Sequence, residues 1–511
     1  MLRPTFSEFM TLASRGTHVP VYRELLFDTD TAVTAYAKLA RANQSTAGSR
    51  FGFLLESLVG GEKWARWTFL GTAPASAWRL DPGGHVSTWS PDSGWSRPQT
   101  FADPIADLDR RVRDARPVTL PGLPRFTGGA LGYLGYDVAR YFERLPEPPP
   151  DQDGTPDALL IFTDVVIAID NVFDRALAIA TVDVRGADQT ALKGRYDAAA
   201  GKLDAALRTL AEQPPPPPLH LGTGDAPPFR SSVTRERFEH DVQRIRDYIR
   251  AGDAYQVVLS QRLAVPLDVP PFDIYRALRS INPSPYLYFL ELDGLALVGS
   301  SPEVMVRLED ARVTVRPIAG TRRRGRSDDE DAELVAELLA DEKERAEHLM
   351  LVDLGRNDVG RIARYGSVHV SDFMSVERYS HVLHIVSQVD GTLRDGLSAL
   401  DVFRACFPAG TVSGAPKIRA MQIIDELETV RRGCYAGAVG YFALGGQAMD
   451  TAIAIRTLVA YGGAAHVQAG AGIVADSVPA LEYEETLSKA RALLAVLGMF
   501  SSRSSPDNAV P

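Results

Sequence analysis

Cysteine is scarce: Cys406 and Cys434 are the only two in 511 residues. Two distant cysteines build neither a disulfide framework nor a thiolate zinc site, and their scarcity suits a reducing compartment. Apolar runs long enough to cross a bilayer are missing, and the opening MLRPTFSEFMTLASRG has no signal-like apolar core. A soluble, cytoplasmic protein with no membrane partner is expected. Positive charge is short as well. The formal net charge is −10, the wrong sign for a general nucleic-acid binder. The one concentrated basic run, TRRRGR from Thr321, reads as a solvated face or loop. P-loop, HExxH and CxxC patterns are absent. GAGIVA, at 470–475, fits a dinucleotide fingerprint, but Pro479 interrupts the helix that fingerprint requires. Its glycines better serve to let backbone N–H groups approach an anion.

The chain does have enough apolar residues, 45%, to bury a large core. Two proline-rich stretches punctuate it. PEPPPDQDGTP reads as an exposed loop, and EQPPPPPLHLGTGDAPPF (212–229) as an extended linker. The linker divides an N-terminal region, 1–211, from a C-terminal region, 230–500, which a tail expected to be disordered, 501–511, follows. Strand-like segments (FGFLLES, RWTFLG, ALLIFTDVVIAID, PYLYFLEL, LALVGSS, RVTVRPIAG) cluster between helical ones. DAELVAELLADEKERAEHLMLVDLGRND predicts one long helical region, and LEYEETLSKAR opens a last helix. Adjacent strands separated by helical groups predict an α+β fold with large, mainly antiparallel sheets.

The acids carry the chemistry. Glu344 and Glu347 stand three apart, as do Glu482 and Glu485, so each pair shares a helix face. Each pair adjoins a strongly apolar stripe, which weakens the reading of a solvated face. If the two helices meet, four carboxylates confront one another, and a hard divalent cation is the natural neutraliser. Arg456 follows an apolar strand-like run, where a buried guanidinium needs an anionic partner. His384, in HVLHIVS, sits in an apolar setting where a histidine is ordinarily structural.

LLESLVGGEKWARWTFLG, GGALGYLGYDVAR, AGDAYQVVLSQR, GSSPEVMVR, RPIAGTRRRG, DEKERAEHLMLVDLGRNDVGR, FPAGTVSGAPKIRAMQIIDELE and AGAGIVADSVPALEYEETLSKARA occur in this order. Together they resemble the chorismate-utilising enzymes, most nearly the large, component I subunits of anthranilate synthases. The resemblance implies a sandwich-like core flanked by helices and a dianionic substrate, chorismate. It implies Mg²⁺ held by Glu347 and Glu485, with Glu344 and Glu482 holding metal-bound water. Arg456 and Lys489 would grip the enolpyruvyl side, helped by Tyr435 and the backbone of Gly470, Ala471 and Gly472. Gly320, Thr321 and Thr411 match the remaining pocket positions, Thr411 among the catalytic set. Glu303 matches the general acid for the departing hydroxyl, and His384 the histidine that serves the later elimination.

Two departures choose among the reactions of this family. Where aminodeoxychorismate synthases carry a nucleophilic lysine, this chain has Ala319. Where isochorismate and salicylate synthases carry a water-activating lysine, it has Gln256, which has no basic nitrogen. Both point to ammonia as nucleophile and anthranilate as product. The resemblance further implies a glutamine amidotransferase partner, a heterotetramer of two large and two small subunits, and feedback inhibition by L-tryptophan. Glu56, Ser57, Pro285, Tyr286, Val439 and Tyr441 match the tryptophan site.

Overall fold

The protein, seen in a computed structural model, is described for residues 1–43, 50–57, 66–146, 148–151, 154–222, 225–378 and 382–500. The tail 501–511 lies outside the described residues. The segment PYLYFLEL shows how the architecture arises. It forms the strand Tyr286–Leu292, and alternate side chains leave opposite faces of a strand. Leu287 and Phe289 pack with the helices Ala32–Asn43 and Pro271–Ile281. Tyr288 and Leu290 pack toward Leu131, Tyr133 and Val439 of a second sheet. A strand apolar on both faces belongs in the middle of a layered core.

Two sheets of thirteen strands result, paired antiparallel throughout among the described strands. The cluster between them holds aromatic residues from both sheets, so the core is a sandwich. Helices Phe6–Ala13, Gln189–Glu212 and Pro479–Gly498 help cover the outer face of the first sheet. Helices Pro104–Arg113, Glu342–Gly360 and Ala399–Cys406 help cover the outer face of the second. The predicted α+β class with antiparallel sheets is what the structure shows.

Both sheets draw strands from both sides of the proline-rich stretch. Phe51–Glu56 pairs with Tyr286–Leu292 in one, and Gly129–Leu134 with Ala438–Ala443 in the other. The stretch is also tied down: Arg41 and Arg276 donate to the carbonyls of Pro214 and Pro217.

The long helical region is two helices, Asp328–Ala340 and Glu342–Gly360. Asp341 leaves helical geometry, with ψ of 109°, and its carboxylate accepts from the amides of Lys343 and Glu344 at 3.0 and 3.1 Å. An N-cap inside a run of strong helix formers restarts the helix there. TRRRGR is not a solvated loop. Its first residues end the strand Ile318–Arg323, and Arg322 bonds Glu337, Asp341 and Glu344 while Arg324 bonds Asp331.

Candidate active site

The cap at Asp341 sets where the first acidic pair falls. Glu344 lies in the first turn of its helix and Glu347 one turn on. Pro479 opens the other helix, where a missing N–H costs nothing, and Glu482, Glu485 and Lys489 follow at successive turns. GAGIVA continues the strand Ala464–Ile473 and is no nucleotide loop. The two helix faces meet across a cavity of about 380 Å³ whose walls include all four glutamates. Gln256, Glu303, Thr411, Tyr435, Arg456, Gly470, Gly472 and Lys489 are also among its lining residues.

The acids feel one another. Burial first, then Glu344 and Glu485, push the Glu347 carboxyl up, while the Gln256 amide, donating at 3.2 Å, opposes the shift. Burial likewise raises Glu482, with Glu485 adding to it. Glu485 pairs with Lys489 at 2.7 Å, and Glu344 with Arg322 at 3.2 Å. Among the described residues no three acidic, histidine or cysteine side chains form a ready-made metal cage. Two facing carboxylates nonetheless suit Mg²⁺, which takes one or two of them and completes its shell with water and ligand oxygens. Glu347 and Glu485 would be the pair to hold it.

Opposite these acids the cavity is prepared for protons and anions. Burial pushes the Glu303 carboxyl up to about 8, although the Thr411 hydroxyl, donating at 2.9 Å, favours the ionised form. Glu303 is therefore a carboxylic acid at neutral pH. Arg456 is held by burial below the usual guanidinium range, and the ion pairs among the described residues include none for it. Its guanidinium donates to the Lys489 carbonyl. A buried cation without a carboxylate partner is a receptor for an anionic ligand. Burial moves the Tyr435 hydroxyl up to about 12, keeping it a donor. A side chain at Gly470 would sit 2.7 Å from that hydroxyl, so only glycine leaves room there.

Some expected residues stand behind the wall. His384 Nδ1 lies 2.9 Å from the Gly320 carbonyl oxygen, and burial holds its pKa down. A carbonyl only accepts, so Nδ1 carries the proton of the neutral ring. Gly320 has φ of +69°, and a side chain on it would crowd Glu344. The backbone of Thr321 pairs with His384, and its side chain lies outside the described residues. Ala471 faces away, packed with Phe238 and Leu259. Ala319 sits on the strand Ile318–Arg323, opposite Ile385. Cys406 and Cys434 are buried, and burial raises both thiols, so neither is a ready nucleophile.

A second cavity, of about 570 Å³, brings together Glu56, Ser57, Pro285, Tyr286, Val439 and Tyr441. Tyr441 packs its ring 4.4 Å from Phe126, giving the cavity an aromatic wall, and Phe69 adds to that wall. Glu56 is fixed by Arg279 at 3.0 and 3.1 Å and by the Tyr275 hydroxyl at 2.5 Å. Asp450 accepts from Tyr286 at 2.9 Å and also pairs with Arg307.

The sequence reading missed several residues. Lys343, Gln468 and Ser477 also line the first cavity. Arg432, buried with Glu428, donates to the carbonyls of Val412 and Val258 at 2.7 and 2.8 Å and lies 5.4 Å from the Tyr435 ring. No helical signal pointed to it, because the helix Lys417–Leu427 ends before Glu428 and the four-residue spacing to Arg432 falls outside it.

The family of chorismate binding enzymes matches residues 69–495. The chain belongs to the chorismate-binding enzyme family. It is 50% identical to anthranilate synthase component 1 of Pseudomonas aeruginosa, over 96% of this chain and 98% of that one. It is equally similar, at 50% over the same shares, to anthranilate synthase component 1 of Pseudomonas putida. The crystal structure of anthranilate synthase component I from Streptococcus pneumoniae superposes with a TM-score of 0.74 at 39% identity. That match covers 86% of this chain and 95% of the other. This chorismate-binding enzyme thus falls with the component 1 subunits of anthranilate synthase.

Proposed function

We propose that this chain converts chorismate and ammonia into anthranilate and pyruvate through aminodeoxyisochorismate, the first committed step of tryptophan biosynthesis. One observation carries the reading: Glu303, whose carboxyl burial holds toward the neutral acid, a buried Arg456 with no carboxylate ion pair among the described residues and four glutamates from two helices share one cavity. Ammonia adds at C2, the ring double bonds shift, and the C4 hydroxyl departs as water with the proton from Glu303. The C2 proton then leaves, the bond from C3 to the enolpyruvyl oxygen breaks, and pyruvate departs as the ring becomes aromatic. His384, neutral and held by the Gly320 carbonyl beside the cavity, is the residue we assign to the proton of this second step.

Arg456 and Lys489 hold the enolpyruvyl carboxylate, and Tyr435 donates beside them. Gln256 has a buried amide oxygen with no hydrogen-bond partner among the described residues, an acceptor suited to an N–H of ammonia and unable to deprotonate water. Bound between Glu347 and Glu485, Mg²⁺ would polarise the ring carboxylate. Glu344 and Glu482 would hold its waters.

Ammonia is supplied by a glutamine amidotransferase subunit, component II, in a cytoplasmic heterotetramer of two large and two small subunits. The buried thiols support a separate glutaminase, since neither cysteine of this chain is poised to attack glutamine. The cavity at Ser57 and Tyr441 binds L-tryptophan as feedback inhibitor, supported by its aromatic wall and the paired charges of Arg307 and Asp450. The test is the product formed from chorismate, Mg²⁺ and ammonium. Tryptophan-sensitive anthranilate bears the proposal out, and isochorismate or aminodeoxychorismate overturns it.

A further inference from the structure

Three neighbouring strands place Tyr288, Gly299 and Thr457 in one row across the first sheet. Gly299 is the gap that makes the row unusual. A side chain there would fall 2.1 Å from the Tyr288 ring, so the ring lies across the glycine and reaches the third strand. The Tyr288 hydroxyl meets Thr457 Oγ1 at 2.5 Å. Thr457 spends its own hydroxyl hydrogen on the Ile455 carbonyl at 2.9 Å, so Tyr288 is the donor to Thr457. Tyr288 lines the tryptophan cavity, whereas Ile455 and Arg456 line the catalytic one.

Arg456, between these bonded neighbours, has φ of +50°. A left-handed conformation is unfavourable for a residue with a side chain and persists only where its surroundings hold it. A second tie supplies part of that hold. The Ser300 amide donates to the Arg456 carbonyl at 3.1 Å, and the Ser300 hydroxyl donates to the Asn282 carbonyl at 2.6 Å. Asn282 opens the turn that carries Pro285 and Tyr286 into the tryptophan cavity. One tie therefore begins at a wall of the inhibitor's cavity, and the other in the segment that leads into that wall.

We infer that the Tyr288–Gly299–Thr457 row is the mechanical link through which the amino-acid cavity controls the anion grip of Arg456. This rests on the tryptophan reading given above and adds the route. An indole seated against Tyr288 displaces its ring, the hydroxyl leaves Thr457, and the backbone at Arg456 relaxes toward an extended conformation. The guanidinium then turns from the substrate carboxylate, and the KM for chorismate rises. Arg456 supplies the bistable element that such coupling requires.

The test uses the whole enzyme with Tyr288→Phe, which keeps the ring over Gly299 and removes only the hydroxyl. Tryptophan binding is measured by calorimetry and the chorismate KM with and without tryptophan. Tyr288→Phe should bind tryptophan within about threefold of the parent, while the tryptophan-induced rise in KM shrinks at least about fivefold. Chorismate's effect on tryptophan affinity must shrink by the same factor, because coupling is reciprocal. Thr457→Val should behave alike, and Thr457→Ser, which keeps the hydroxyl, should retain coupling. Full coupling in both Tyr288→Phe and Thr457→Val overturns the link while leaving the tryptophan site standing. Failure of the parent enzyme to bind tryptophan removes the site and the link together.

Discussion

Thr411 donates its hydroxyl to one carboxyl oxygen of Glu303 across 2.9 Å, inside a site that otherwise favours the neutral acid. The other oxygen is left to carry the proton. Catalysis should therefore decline as pH rises through about 8, where Glu303 ionises. Glu303→Gln should lower kcat about 10²- to 10⁴-fold and abolish that alkaline limb. Thr411→Val removes a bond that favours the ionised form, so its limb should move to higher pH. A pH–rate series on the three proteins checks both.

The same proton couples to folding. Folding raises Glu303 from an ordinary 4.5 to about 8, so the folded state takes up a proton there. The associated stability is full below the lower value, declines between the two, and is lost as pH passes the upper. Thermal melts across that window should show a shallower decline for Glu303→Gln than for the parent.

Lys417 pairs at 2.8 Å with Asp358, which lies on the helix that carries Glu344 and Glu347, and both side chains are nearly inaccessible. Lys417→Met strands a buried carboxylate and should cost about 3–5 kcal/mol of stability. Lys417→Met with Asp358→Leu removes both charges and should recover most of it. Denaturant melts of the single and double variants measure the difference.

Ser57 lines the second cavity. Ser57→Phe should fill that space and weaken tryptophan inhibition at least about tenfold, a loss of about 1.4 kcal/mol of binding, with catalysis retained. Inhibition curves decide it, and unchanged sensitivity would exclude Ser57 from the inhibitor's pocket.

Much of the catalytic cavity was legible because its acids obey helical spacing. Glu344 with Glu347 and Glu482 with Glu485 share faces whatever the tertiary structure, the family strings supplied Glu303 and Lys489, and Arg456 stood out as a guanidinium after an apolar run. The helix break at Asp341 was hidden, since an aspartate inside LLADEKERAE reads as one more polar helical residue. Strand order was hidden too. That Phe51–Glu56 joins Tyr286–Leu292 across the proline-rich stretch depends on long-range packing, which local patterns do not encode. The row from Tyr288 to Thr457 follows from that register, so no inspection of FGFLLES or PYLYFLEL alone reveals it.

Both acidic helices face one cavity, and the central claim is that Glu347 and Glu485 there hold Mg²⁺ against the substrate's ring carboxylate. The most direct measurement is anthranilate formation from chorismate and ammonium across a magnesium titration, for the parent and for Glu485→Gln. The parent should respond to magnesium, and Glu485→Gln should need about 10- to 100-fold more metal or show no activity. Equal rates at equal magnesium in the two proteins would contradict the account.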